Sequence, residues 1–193
     1  MVLYFAYGSN LLPARLQARC PSARILEPAN TKGRRLEFSK PGADNSSKAT
    51  LALAAGSEES ATPGVVFEID SAELQQLDRA EGVGYGYKRD DTFEVIGAST
   101  GRAMSTICYL ATKTHLNHPP YDWYLALVVA GYRHHRFDDT FITRLLNVPY
   151  KIDDATERPG RIAALHALKQ HGYGTAASLL DQAGPSSRGP LPQ

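Results

Sequence analysis

The sequence predicts an α+β fold: a small mixed or antiparallel β-sheet curled into a barrel, with helices packed against it. Three observations lead there. Segments of strand composition crowd into the first 112 residues, helical patterns dominate from residue 121, and the two do not alternate strictly. A doubly wound parallel sheet would need that alternation. A length of 193 residues and a hydrophobic fraction of 42% suit one domain with a substantial core. The domain is expected over residues 1–183, and the Pro/Gly/Ser-rich residues 184–193 are expected to form a disordered tail.

The first strand is expected at residues 2–7, β-branched and aromatic and stopped by Gly8. Ser9 or Asn10 can cap a following helix, in which Leu11, Leu12, Arg15, Leu16 and Arg19 suit an amphipathic turn or two and Pro13 is tolerated early. "CPSARIL" ends that helix and opens an extended segment. Residues 34–39 are a short strand candidate inside a polar stretch, and "ATLALAA" and "GVVFEID" read as strands around the loop "GSEESATP". A helix over 71–81 follows, capped by Asp70 or Ser71, with Glu73 in its first turn and Leu74 and Leu77 on its apolar face. It stops at "EGVGYGY". "YKRDDTFEVIG" and "AMSTICYLAT" form a strand pair, and "YDWYLALVVAGYRHHRF" turns helical after His118-Pro119-Pro120. "DDTFITRLLNV" is a helix capped by Asp138 or Asp139, and "ATERPGRIAALHALKQHG" is another, interrupted by Pro159-Gly160.

Composition excludes several functions. Lys plus Arg number 21 against 20 Asp plus Glu, and the basic clusters at 32–35 and 133–136 are short, so a nucleic-acid surface is not expected. The N-terminus lacks a basic region before its short apolar run, and the apolar run 125–130 is far too short to span a bilayer. A cytoplasmic chain with no membrane partner is the expectation. Cys20 and Cys108 show no metal-ligand spacing, and the six histidines contain no HExxH pattern, so neither a metal nor another cofactor is expected. Monomer or homodimer stays open.

Two places can carry chemistry. In "YFAYGSNL", a strand runs through Gly8-Ser9-Asn10 into a helix start, where unpaired amides favour a carboxylate or a developing oxyanion. Gly8 permits a tight or crowded backbone, and Tyr4 and Tyr7, three apart, would lie on opposite faces of an ideal strand. The same residues also serve as an ordinary capping turn. The second place is Glu81, where the helix gives way to Gly82, Gly84 and Gly86. The negative helix end opposes its charge, which suits a group that shuttles a proton near neutrality. A solvated glutamate beside a glycine cap has the same sequence. Tyr121, Trp123 and Tyr124 can wall a small ligand or pack as the first turn of a core helix.

Taken in order, "YFAYGSNL", "GVVFEIDSAELQQLDRAEGV" and "PPYDWYLALVVAGYRHH" resemble the gamma-glutamylcyclotransferase family. Its members carry a Y-G-S-N-L loop, a G-V-V segment leading to L-D-x-x-E-G-V, and a P-x-x-x-Y helix start with a glycine about seven residues on. Here these are Tyr7 to Leu11, Gly64 to Val66, Leu77 to Val83, and Pro120 to Tyr124 with Gly131; the likeness runs from about residue 2 to 148. It implies a compact barrel-centred fold and a cofactor-free reaction on a small γ-glutamyl substrate. The substrate's α-amine attacks its own γ-carbonyl, releasing 5-oxoproline and an amine or amino acid. The resemblance further implies Glu81 as general acid/base, Tyr7, Gly8, Ser9, Asn10 and Leu11 as the cradle of the glutamyl end, and Tyr124 closing over the ring. The Y-G-S-N loop leans away from the family members that act on γ-glutamylamines. Residues 32–48 match none of these motifs and are a candidate frame for the leaving group. A binding protein for a glutamyl-like anion is the rival reading; a second negative charge at Glu81 counts against it.

Overall fold

In the computed structural model, which describes residues 1–54, 61–116 and 118–181, the chain opens with β1, Val2–Ala6. A 3-10 turn over Ser9–Leu11 leads to a short helix, α1, Pro13–Gln17, with Pro13 in its first turn. Then come β2, Arg24–Asn30; β3, Arg34–Pro41; β4, Ser47–Leu53; and β5, Pro63–Ile69. A second 3-10 turn and α2, Leu74–Glu81, separate these from β6, Tyr87–Gly97, and β7, Ala103–Ala111. The C-terminal part is helical: α3, Asp122–His134; α4, Asp139–Leu146; α5, Pro159–Gln170; and α6, Ala176–Leu180.

Five strands close into a barrel in the order β1-β5-β2-β6-β7. Neighbours pair antiparallel, and the closing contact is the parallel pairing of β1 with β7 at Tyr4 and Ile107. Closure leaves no sheet edge to cover. β3 and β4 form a separate antiparallel hairpin outside the barrel, with a register shift between Phe38 and Lys40. The hairpin sits on the barrel through side-chain bonds: the Ala111 amide donates to Thr50 Oγ1 at 3.0 Å, and Tyr87 Oη donates to the Ala49 carbonyl at 2.7 Å.

α3 is apolar almost all round, with Trp123 to Tyr132 buried, which marks a helix enclosed on every side. It packs against the 3-10 turn, α5 and α6. Tyr132, fully buried, spends its hydroxyl on the carbonyls of Tyr7 and Pro63, pinning the end of β1 to the start of β5.

The structure corrects several expectations. Ser9 and Asn10 do not cap a helix with their side chains; the segment after β1 is a 3-10 turn followed by five helical residues. Pro159 does not interrupt α5 but starts it, because the first helical position needs no amide donor. α6 is an element the pattern did not suggest. Residues 55–60, the last residue of the expected strand "ATLALAA" and the first part of the expected loop, and the expected tail at 184–193 lie outside the described residues.

Candidate active site

The end of β1, the 3-10 turn, the C-terminus of α2, β4 and α3 meet around a small cavity of about 20 Å³. Tyr4, Tyr7, Gly8, Ser9 and Asn10 line one side, Glu81 and Tyr109 another, and Ala49, Tyr87 and Tyr124 the rest. Of the residues singled out from the sequence, Glu81, Tyr124 and the loop from Tyr7 to Asn10 therefore converge. Leu11 does not: its side chain is fully buried in the core, and its carbonyl meets His135 Nε2 at 2.8 Å.

Asn10 is only 3% exposed, so its amide must find partners inside. Its Nδ2 donates to Tyr4 Oη at 2.9 Å and to Glu81 Oε1 at 2.8 Å. Arg19, just past α1, closes the circuit: its Nη1 donates to Asn10 Oδ1 at 2.9 Å and to Glu81 Oε1 at 2.5 Å. The helix end disfavours charge on Glu81, while the guanidinium compensates it. Among the described residues none donates to Oε2. One oxygen of the carboxylate is thus fixed, and the other accepts no hydrogen bond from a described residue.

α2 delivers Glu81 because Asp70 caps the turn before it, accepting from the Ala72 amide, and Leu77 anchors it in the core. Gly82 ends it at φ 69°, with the Val83 amide reaching back to the Asp78 carbonyl at 3.0 Å. The same helix presents Asp78 to Tyr109 Oη at 2.8 Å and to Arg89 Nη1 at 2.6 Å.

The cavity tyrosines are neutral hydroxyls, not bases. Burial, followed by the charge of Glu81, raises the Tyr4 hydroxyl well above its usual range. Burial does the same to Tyr7 and Tyr87, and pushes Tyr124 up to about 12 even though the Ala49 amide donates to it at 3.0 Å. Tyr7 Oη is spent on the Tyr109 carbonyl at 2.5 Å. Tyr4 and Tyr7 both line the cavity, contrary to ideal strand alternation, because β1 ends at Ala6 and Tyr7 sits past it. Gly8 is at φ −111°, so it is not left-handed; it is crowded instead. A Cβ there would lie 3.3 Å from Ala49 Cβ and 3.7 Å from Tyr124 Oη.

Arg19, Tyr87, Tyr109 and Ala49 were not singled out as site residues. Arg15 and Arg19, four apart, were the available signal for a cationic side. Arg15 also lies close enough to feel Glu81; burial and the charge of Arg19 lower its guanidinium to about 10, and its Nε has no hydrogen-bond partner among the described residues. Tyr85 is 97% exposed and plays no part in the cavity, whereas Tyr87 does.

A larger groove, about 880 Å³, runs between β3, α4 and residues 118–120. Among the described residues the only acidic one lining it is Glu37, whose two oxygens both accept, Oε1 from Arg35 Nε at 2.7 Å and Oε2 from Ser39 Oγ at 3.1 Å. Among the described residues no group of three His, Cys, Asp or Glu side chains is placed to hold a metal ion, and no helix is long and apolar enough to cross a membrane. Cys20 and Cys108 are both free and buried.

Residues 4–126 match the family described as "Gamma-glutamyl cyclotransferase, AIG2-like". A human gamma-glutamylcyclotransferase is 32% identical over 135 residues, covering 67% of this chain and 69% of its own. A bovine gamma-glutamylcyclotransferase is 38% identical over 89 residues; that match takes in 44% of this chain and spans 46% of the bovine protein, under half its length. Among solved structures, one titled gamma-glutamyl cyclotransferase superposes with a TM-score of 0.73 at 25% identity, covering 87% of this chain and 98% of its own. An uncharacterized human protein superposes at 0.72 with 26% identity, covering 84% and 97%.

Proposed function

The chain belongs to the gamma-glutamyl cyclotransferase family, and from that premise we propose that it converts a γ-glutamyl compound into 5-oxoproline and a free amine, with Glu81 as the acid/base group. The observation that carries the proposal is the divided role of the Glu81 carboxylate. Oε1 is held by Asn10 and Arg19, and Oε2 has no donor among the described residues.

Glu81 takes a proton from the substrate's α-ammonium. The freed amine attacks the γ-carbonyl carbon, Glu81 returns a proton to the nitrogen that leaves as the tetrahedral centre collapses, and the surplus proton of the ring nitrogen passes to the released amine, which departs as its ammonium. Because the nucleophile and electrophile belong to one molecule, holding the glutamyl chain folded supplies much of the rate; effective molarities of roughly 10⁵ M and above are reached in well-oriented cases. No cofactor is called for. The turn at Ser9–Leu11 spends its Leu11 amide on the Gly8 carbonyl, which leaves the earlier amides for the α-carboxylate or the developing oxyanion. Tyr124 and Tyr87, held neutral, wall the ring without competing for the proton. A void of about 20 Å³ holds a single water, so the glutamyl group enters as the wall yields.

The test is 5-oxoproline release from γ-glutamyl dipeptides, glutathione and γ-glutamyl-amines, with Glu81→Gln beside the wild type. The amide keeps an acceptor for Asn10 and Arg19 and loses the proton-carrying oxygen. Release is expected to fall by about 100-fold or more with folding retained. Turnover that survives in the variant removes Glu81 from this role. Binding without release from any substrate by the wild type favours a glutamyl-binding protein.

A further inference from the structure

The portion of the substrate that leaves must project from the cavity, and the hairpin contributes one wall of that cavity through Ala49. Ala49 on β4 is a cavity wall, and its cross-strand partner on β3 is Phe38; the next pair along the hairpin is Lys40 with Lys48. Two lysines directly opposite repel each other. Lys48 is compensated: its Nζ is 2.9 Å from Asp44 Oδ2 and 2.7 Å from Ser46 Oγ, and it lies over the rings of Trp123 and Tyr124 at 4.8 Å. Lys40 is not. Among the described residues it forms no ion pair, although it is half-buried.

Its ammonium instead lies over the ring of Tyr87, 4.9 Å from the centroid, so it flanks a residue that lines the cavity beside Glu81. It packs so closely on the turn after Glu81 that a Cβ on Gly86 would come within 2.7 Å of Nζ. Burial works against this cation, and the charges of Glu81 and Asp44 offset the cost only in part. A half-buried ammonium with no counter-ion, next to a cavity that already holds its own compensated carboxylate, is arranged for an anion that arrives from outside.

The geometry points to Lys40 as a specificity-determining residue that takes a carboxylate on the portion of the substrate that leaves. The inference rests on the ring closure proposed above. It selects γ-glutamyl compounds whose released amine is an amino acid or short peptide over those that release an uncharged-tail amine. It also gives the lysine-bearing hairpin a use.

The experiment compares γ-glutamyl-alanine with γ-glutamyl-ethylamine, which differ only in that carboxylate, on wild type, Lys40→Met and Lys40→Arg. In the wild type kcat/KM is expected to favour the alanine compound by about tenfold. Lys40→Met should erase the difference through KM, leave the ethylamine compound unchanged, and be rescued in part by Lys40→Arg. Equal use of both compounds by the wild type, or an equal loss for both in Lys40→Met, overturns the role of Lys40 while ring closure stands. If neither compound releases 5-oxoproline, the proposed reaction fails, and calorimetric titration of the same pair decides Lys40 separately. A carboxylate-dependent affinity lost in Lys40→Met upholds it; no such preference, or no binding, overturns it.

Discussion

At the scale of single residues, the site depends on side chains that each satisfy two demands. Asn10 is buried, and the same amide that escapes an unsatisfied burial also fixes Glu81. Gly8 answers a different demand. Sequence reasoning allowed either a left-handed backbone or a crowded one at this position; with φ at −111° and Ala49 3.3 Å from a hypothetical Cβ, crowding is the reason. Gly8→Val is therefore expected to fill the space under the Tyr124 hydroxyl, raising KM for a γ-glutamyl substrate about tenfold or more and lowering the melting temperature by several degrees. An unchanged KM in a folded variant would mean that the substrate does not approach this loop. Arg19 shows why the site was only partly legible. An arginine at the end of an amphipathic turn reads as surface, and only the fold brings it to a glutamate 62 positions away.

At the scale of elements, the decisive contact is between α3 and the turn after β1. A Cβ on Gly131 would meet Leu11 Cβ at 2.7 Å and the Leu12 amide nitrogen at 3.0 Å, so the helix and the turn touch backbone to backbone. Gly131→Ala forces them apart at a cost of about 1–3 kcal/mol, and thermal unfolding should register it as a fall of several degrees. A melting temperature equal to that of the wild type would show that the turn can shift freely. Most elements were readable because their signals are local: the strand pair 87–97 and 103–112, the Asp70 and Asp138 caps, and the glycine stop after Glu81 all appear where composition placed them. α5 was misread at its start and α6 was missed. The latter has five residues, and its Thr175–Ser178 capping box is the one local cue it offers.

At the scale of the whole molecule, the strand order β1-β5-β2-β6-β7 was not legible, since it is set by long-range pairings that leave no periodic trace. The barrel was expected from composition alone, and its parallel seam between β1 and β7 was not. The same long-range packing creates a pH dependence. His134, His135 and His171 come together at the C-terminal ends of α3 and α5, the ring of His134 lying 4.8 Å from that of His135 and 4.7 Å from that of His171. His171 Nε2 accepts from the Ala14 amide at 3.2 Å, a bond that protonation at that nitrogen would break. Burial, with the neighbouring rings adding to it, lowers the affinity of His135 and His171 for a proton below the ordinary 6.5. The unfolded chain thus binds these protons more readily. Their contribution to stability is complete above about pH 6.5 and is lost as the pH falls through the lower folded values. In Asp44 and Asp153 burial opposes the charge, but hydrogen bonds from Lys48 and Arg158 outweigh it, so their contributions persist to pH values below 3.8. The melting temperature should fall between pH 6.5 and 5, and less steeply in His171→Gln. A flat profile in that range would show that the cluster accepts protons in place.

The hairpin β3–β4 has a further consequence. It closes its own two-stranded sheet, while Glu81, Asn10 and the loop after β1 belong to the barrel and its helices. In the proposed reaction, ring formation and the choice of what departs fall to different modules of one chain, which meet at Ala49 and Thr50. On that proposal, exchanging a cassette of about twenty residues while keeping Ala49 and Thr50, which contact the barrel, would retune one reaction centre to new leaving groups.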